Sequence, residues 1–253
     1  MPTDKDHAEA ERIATEAGRL LVEVRERLFR LSVDSRTIKD EGDRRAHEFI
    51  MAELRASFPD DGILSEEGRD DLTRLEKDRV WIVDPLDGTR EFSEPGRHDW
   101  AVHIALTEGG VPTAGSVALP ALETTLSAHP APELPPRPDG PPRLVVSRTR
   151  PPAAAMIIAE AIGAELLGLG SAGAKAMSII LGHADIYAHS GGQFEWDNCA
   201  PAVVASAAGM HASRADGSEL TYNHADPWLP DLLFCRPEFA EPALAAIHDY
   251  LEG

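Results

Sequence analysis

The segment Val80-Trp81-Ile82-Val83-Asp84-Pro85-Leu86-Asp87-Gly88-Thr89-Arg90-Glu91-Phe92 carries an apolar run straight into two aspartates three positions apart. Pro85 fixes φ in the turn, and Gly88 allows a close backbone approach. The Asp84 and Asp87 carboxylates and the Leu86 carbonyl can together face one or two hard cations, which take oxygen ligands. Cations so held lower the pKa of water and clamp phosphoryl oxygens, the chemistry of metal-assisted phosphate-ester hydrolysis. An Asp-rich turn after a strand also occurs without a metal, so the reading depends on further carboxylates arriving at the same edge.

Glu66, in Leu64-Ser65-Glu66-Glu67-Gly68, follows another short apolar run and can reach that edge, which makes bridging of two metals feasible. Asp197, in Glu195-Trp196-Asp197-Asn198-Cys199-Ala200-Pro201, precedes an apolar helical stretch and reads as its N-cap. That role is compatible with metal binding, because the helix dipole also favours a carboxylate there. Asp43 either caps a second helix or shares a helical face with Ala46 and Ile50, which would turn its carboxylate inward, where it needs a partner. Thr89 places a hydroxyl beside the proposed ions, able to orient an attacking water that Asp43 or Glu66 deprotonates. The Gly88 and Thr89 amides would help neutralise a transferring phosphoryl group. No covalent nucleophile stands out.

Two further segments bear on anion binding. Gly168-Leu169-Gly170-Ser171-Ala172-Gly173-Ala174-Lys175 sets a glycine-rich turn before a helix, with Lys175 in its first turn. It reads either as an anion cradle or as a close-packed turn, and it lacks the spacing of a P-loop. Ser147-Arg148-Thr149-Arg150 follows a strand and is either a phosphate-binding set of hydroxyl and guanidinium groups or a solvated basic loop. The ten histidines form no H-x-x-x-H or H-E-x-x-H pattern, and each reads as surface or satisfied core. Trp81, Trp100 and Trp196 read as packing residues near the site.

The elements that must position these groups follow from periodicity. Ile13, Ala17, Leu20, Leu21, Val24 and Leu28 line one face of a long helix from about Asp6 to Arg30. A second helix is expected from Asp43, ending at Phe58-Pro59-Asp60-Asp61-Gly62. Strands are expected at Ile63-Leu64, Val80 to Val83, Ala101 to Leu106 and Ala114 to Leu119. Residues 129–142, HPAPELPPRPDGPP, cannot form a core helix or central strand and should connect two halves or run as an extended loop. Beyond them strands at 144–146, 165–169 and 185–188 alternate with helices near 153–162, 174–181 and 198–208, which suggests a second helix-covered sheet. The expected organisation is an N-terminal α+β half over 1–128 with most of the ligands, and a C-terminal α/β half over 143–253 with the substrate loops and the last ligand.

With 43% hydrophobic and 26% charged residues, the 253-residue chain can build a sizeable core of one large domain or two packed halves. A formal net charge of −19 repels polyanions and argues against nucleic-acid polymers as partners. A small phosphate ester is different, since divalent ions on the carboxylates invert the local field. No stretch is apolar enough to span a membrane, and MPTDKDHAEAERI lacks signal-peptide character, so a cytoplasmic location is expected. Cys199 and Cys235 suggest neither a disulfide framework nor a metal site.

LSEE, DPLDGTREF and EWD, in this order and spacing, resemble the inositol monophosphatase superfamily of lithium-sensitive, metal-dependent phosphatases. The resemblance spans nearly the whole chain and implies a layered αβαβα sandwich, often homodimeric. It implies that Glu66, Asp84, Leu86 (through its carbonyl), Asp87 and Asp197 are ligands for two or three Mg²⁺ ions, with Gly88 and Thr89 on the phosphate side. Within the superfamily DGTREF, the Ser147-Arg148 pair, Lys175 and EWD look like the CysQ-type 3′(2′),5′-bisphosphate nucleotidases. Ser147, Arg148, Lys175 and Glu195 then join the substrate-binding set. The implied reaction removes the 3′-phosphate of 3′-phosphoadenosine 5′-phosphate to give AMP and phosphate, with the 5′-phosphosulfate as a related substrate. An inositol phosphate or fructose 1,6-bisphosphate is the nearest alternative, and a non-catalytic metal-binding interaction protein the alternative of another class. Two departures stand out: Ile38-Lys39-Asp40-Glu41-Gly42-Asp43 replaces a VTxAD-like segment, and SRTR replaces an SRSH-like one.

Overall fold

The computed structural model describes residues 1–252, with side chains through residue 248. Helix α1 (Asp4–Arg30) opens on a reciprocal cap in which the Asp6 amide donates to the Thr3 hydroxyl and the Thr3 amide to the Asp6 carboxylate. Helix α2 (Ser35–Ser57) begins at Asp34, which accepts from the Arg36 and Thr37 amides. Asp43 is therefore not a cap: it sits inside α2, half-buried, on the inward-turned alternative of the two sequence readings.

Strands β1 (Gly62–Ser65) and β2 (Arg79–Asp87) are followed by the short helix α3 (Thr89–Phe92) and by β3 (Ala101–Glu108), β4 (Val111–Leu119) and β5 (Thr124–Ser127). They form a sheet in the order β1-β2-β3-β4-β5, with β1 and β2 parallel and the other pairs antiparallel. Residues 129–142 hold no helix or strand, as their proline content requires.

The rest of the chain gives β6 (Arg143–Ser147), α4 (Ala153–Ile162), β7 (Glu165–Leu169), α5 (Ala172–Ile180), β8 (Ile186–Phe194), α6 (Glu195–Ala207), β9 (His211–Ser213), β10 (Trp228–Cys235) and α7 (Ala240–Glu252). The second sheet runs β7-β6-β8-β10-β9. Helices α1 and α2 cover the outer face of the first sheet, α5 and α6 lie between the sheets, and α4 and α7 cover the second sheet. This is the expected αβαβα sandwich. Every residue of α5 is buried, which its small side chains Ala172, Gly173, Ala174 and Ala176 permit. The middle core joins Val80, Ile82 and Val117 to Val145, Met177, Val203 and Phe234, so the segments 1–128 and 143–253 close on one shared interior. Among the described residues no helix is long and apolar enough to cross a membrane.

Candidate active site

Strand β2 alternates: Trp81 and Val83 pack beneath α1 and α2, while Val80 and Ile82 face the middle layer. Asp84 continues the second series. On an unbroken strand Asp87, three residues on, would face the opposite way. The β2–β3 register instead shifts between Asp84 and Asp87. The irregularity sends Leu86 into the same core as Trp81 and Val83, and brings Asp87 to the side of Asp84. Asp197 approaches from α6 in the middle layer. One oxygen from each of Asp84, Asp87 and Asp197 lies within 4.8 Å of the others. Glu66 follows β1, where Ser65 pairs with Val83 and the Glu66 amide donates to the Val83 carbonyl at 3.2 Å. Glu66 is an exposed residue at the rim, but its carboxyl turns in to meet that of Asp84. An all-oxygen, crowded and negative donor set suits a hard divalent cation.

The electrostatics carry the mark of that crowding. Burial, then repulsion from Glu66, Asp87 and Asp197, holds the Asp84 carboxyl well above the carboxylate range. Loss of surrounding water and repulsion from Asp197 push Glu66 up to about 7. Burial and Asp87 push Asp197 up to about 6. Asp87 goes the other way: burial opposes its charge, yet His103, Lys175 and Ser171 hold it down at about 2. One carboxyl is thus held ionised beside three that resist full ionisation together.

Asp43 meets Thr89, whose hydroxyl lies 3.2 Å from Asp43 Oδ1 and 3.1 Å from the Leu86 carbonyl oxygen. Burial and repulsion from Glu67 push Asp43 up to about 7. Gly88 has φ of +86°, and a Cβ there would lie 2.9 Å from the Ser171 Cβ, so the turn between β2 and α3 needs glycine on both counts. Arg25 of α1 donates to the carbonyls of Phe92, Glu94 and Arg97 and so fixes the end of α3.

Several predicted site residues take other positions. Asp197 is not the N-cap of α6, which starts two residues earlier than it. Its carboxylate instead reaches back to the Phe194 amide at 2.6 Å, the backward half of a capping box. The glycine-rich turn before α5 does cradle an anion, but that anion is Asp87, which accepts from the Ser171 hydroxyl at 2.5 Å and from the Gly173 and Ala172 amides at 2.6 and 3.2 Å. Lys175 is 4% exposed and donates to the Gly170 and Ser171 carbonyls at 2.6 and 2.8 Å, bracing this turn from within. Glu195 is fully buried and accepts from the Asn223 and His224 amides. Arg148 is engaged by Glu91 and Glu94. Ser147, half-buried, accepts from the Arg150 amide.

Ser171, Gly173 and His103 join the site without having been singled out for it. Ser171 is legible as a helix N-cap, its hydroxyl accepting from the Ala174 amide at 2.9 Å. His103 has no local signal, since its partners are remote in sequence.

The profile described as the inositol monophosphatase family matches residues 4–130 and 145–251. The chain is 51% identical over 246 residues to the 3′-phosphoadenosine 5′-phosphate phosphatase of Mycobacterium tuberculosis, covering 92% of this chain and 90% of the relative. It is 32% identical over 196 residues to the 3′(2′),5′-bisphosphate nucleotidase CysQ of Escherichia coli, covering 73% and 79%. The crystal structure of CysQ from Bacteroides thetaiotaomicron is similar with a TM-score of 0.76 and 27% identity, over 92% of this chain and 97% of the other. With sequence, fold and carboxylate cluster in agreement, this chain belongs to the inositol monophosphatase family.

Proposed function

We propose that this chain is a Mg²⁺-dependent phosphatase that removes the 3′-phosphate of 3′-phosphoadenosine 5′-phosphate, yielding AMP and phosphate. The observation that carries the chemistry is the convergence of Asp84, Asp87 and Asp197 within 4.8 Å, flanked by Glu66. The substrate follows from the named activity of the mycobacterial relative, which matches this chain almost end to end.

Glu66, Asp84, the Leu86 carbonyl, Asp87 and Asp197 would hold two or three Mg²⁺ ions, which when bound polarise the phosphoryl group and acidify the attacking water. Thr89 has one hydroxyl proton for two acceptors, Asp43 and the Leu86 carbonyl. Donating to Asp43, it keeps its lone pairs for an incoming water, which it would orient for attack on the phosphorus. Asp43, at about 7, has the basicity of a general base working near neutrality, and the Thr89 hydroxyl lies on the path to it. The Gly88 and Thr89 amides would help neutralise the transferring phosphoryl group.

Recognition of the base is assigned to Phe194 and Trp228, cross-strand partners of β8 and β10 that are 42% and 49% exposed. Phe194 stacks on Trp196 at 4.8 Å and 12°, and its amide binds Asp197, which ties this aromatic surface to the carboxylates. Such faces take any nucleobase by stacking.

The test is phosphate release from 3′-phosphoadenosine 5′-phosphate, inositol 1-phosphate and fructose 1,6-bisphosphate, each with Mg²⁺ and with chelator. Mg²⁺-dependent release with the highest kcat/KM on the nucleotide is expected. No release from any of them, or a preference for either sugar phosphate, overturns the proposal.

A further inference from the structure

His103 of β3 is wholly buried between the segments that carry the carboxylates. Its Nδ1 lies 3.0 Å from the Trp196 carbonyl oxygen, one residue before Asp197. Its Nε2 lies 3.2 Å from Asp87 Oδ2, at ion-pair distance rather than along a hydrogen-bond axis. Gly173 at the start of α5 closes on the same ring: a Cβ there would fall 2.0 Å from Nε2. Asp87 Oδ2 is therefore ringed by His103, the Ser171 hydroxyl and the Gly173 amide, while Oδ1 accepts one long hydrogen bond, from the Ala172 amide at 3.2 Å.

We propose that His103 is a positioning residue of the metal centre, which pins Asp87 Oδ2 against α5 and the Trp196 carbonyl against β3 so that Asp87 Oδ1 and Asp197 face one point. The rigid imidazole spans both contacts at once. Asn in its place reaches only the Trp196 end, and Gln only the Asp87 end. A ligand whose far oxygen is held this way cannot swing away from the ion, and loss of such a support typically weakens a metal site by about 10- to 100-fold. The role rests on the reading of Asp84, Asp87 and Asp197 as metal ligands.

The experiment is calorimetric titration of the purified full chain with Mg²⁺ in the absence of substrate, with circular dichroism to establish the fold of each variant. His103→Asn is expected to weaken Mg²⁺ binding by about tenfold or more, and His103→Gln to recover most of it. Gly173→Ala, which keeps every carboxylate and displaces the ring, should behave like His103→Asn and serves in its place if that variant does not fold. Because the defect is in ion retention, raising Mg²⁺ should restore kcat in His103→Asn. Native-like Mg²⁺ affinity in a folded His103→Asn or Gly173→Ala chain overturns the role. A native chain that binds no Mg²⁺ overturns the ligand reading, and this role with it.

Discussion

Metal binding by this site should be linked to protons, with a sign and size that follow from the crowding of its carboxyls. Asp84 and Glu66 meet each other in the cluster, and both are raised, Glu66 to about 7. Glu66 at that value holds about half a proton at pH 7 and nearly a whole one at pH 5.5. Asp197, at about 6, holds about a tenth of a proton at pH 7 and most of one at pH 5.5. Mg²⁺ requires the ionised forms, so Glu66 and Asp197 together should release more than about half a proton at pH 7 and approach two below pH 6 when the site fills. Apparent affinity should accordingly rise with pH around neutrality and more steeply on the acid side. The metal-free fold shows the converse. Folded pKa values above the ordinary 3.8 of Asp and 4.5 of Glu mean that Asp197 and Glu66 bind more protons in the folded chain than in the unfolded one between about pH 4 and 7. These groups therefore destabilise the metal-free fold increasingly towards the upper end of that window, where Mg²⁺ should raise Tm the most. Calorimetric titration with Mg²⁺ at pH 7 in two buffers of different ionisation enthalpy counts the protons directly. Identical heats in both buffers, together with an affinity flat from pH 6 to 8, would refute the reasoning.

Asp87→Asn should abolish Mg²⁺-dependent turnover. It should also lower stability by about 1–3 kcal/mol in chemical denaturation, since Asp87 anchors the start of α5 as well, and an unaltered rate would contradict its assignment. Thr89→Val should lower kcat by about 100-fold with KM little changed, while Thr89→Ser retains most of the rate, as initial velocities would show. Gly88→Ala is expected to lose about 1–3 kcal/mol on denaturant unfolding, because φ is +86° and the new Cβ meets Ser171. Phe194→Ala and Trp228→Ala should each raise KM for the nucleotide by the equivalent of about 1–3 kcal/mol of lost stacking, while inhibition by inorganic phosphate stays as in the native chain.

The chemistry of the site was legible where it is local. Apolar alternation from Val80 to Val83 fixes the face of Asp84, and the long apolar face of α1 fixes its packing. The second helix opens earlier than the expected start at Asp43, because Asp34 is an equally good cap. What brings Asp87 beside Asp84 is a register shift against β3, which depends on the partner strand and leaves no mark in a three-residue spacing. The same holds for Lys175 and Glu195. Each is a charge in a chemically suggestive motif, but each is consumed by backbone groups that only the folded chain brings near: the Gly170 turn for one, residues 223–224 for the other. β5 and β9, of four and three residues, are too short to show a period, and β10 contains Pro230 in a run that otherwise reads as core.

The central claim is that the carboxylate cluster directs Mg²⁺-dependent attack on one particular ester bond. Phosphorus NMR of 3′-phosphoadenosine 5′-phosphate incubated with the chain and Mg²⁺ tests it most directly. Loss of the 3′-phosphate resonance, growth of inorganic phosphate and retention of the 5′-phosphate as AMP are expected, all suppressed by chelator and in Asp84→Asn. An unchanged spectrum, or release of the 5′-phosphate first, would contradict it.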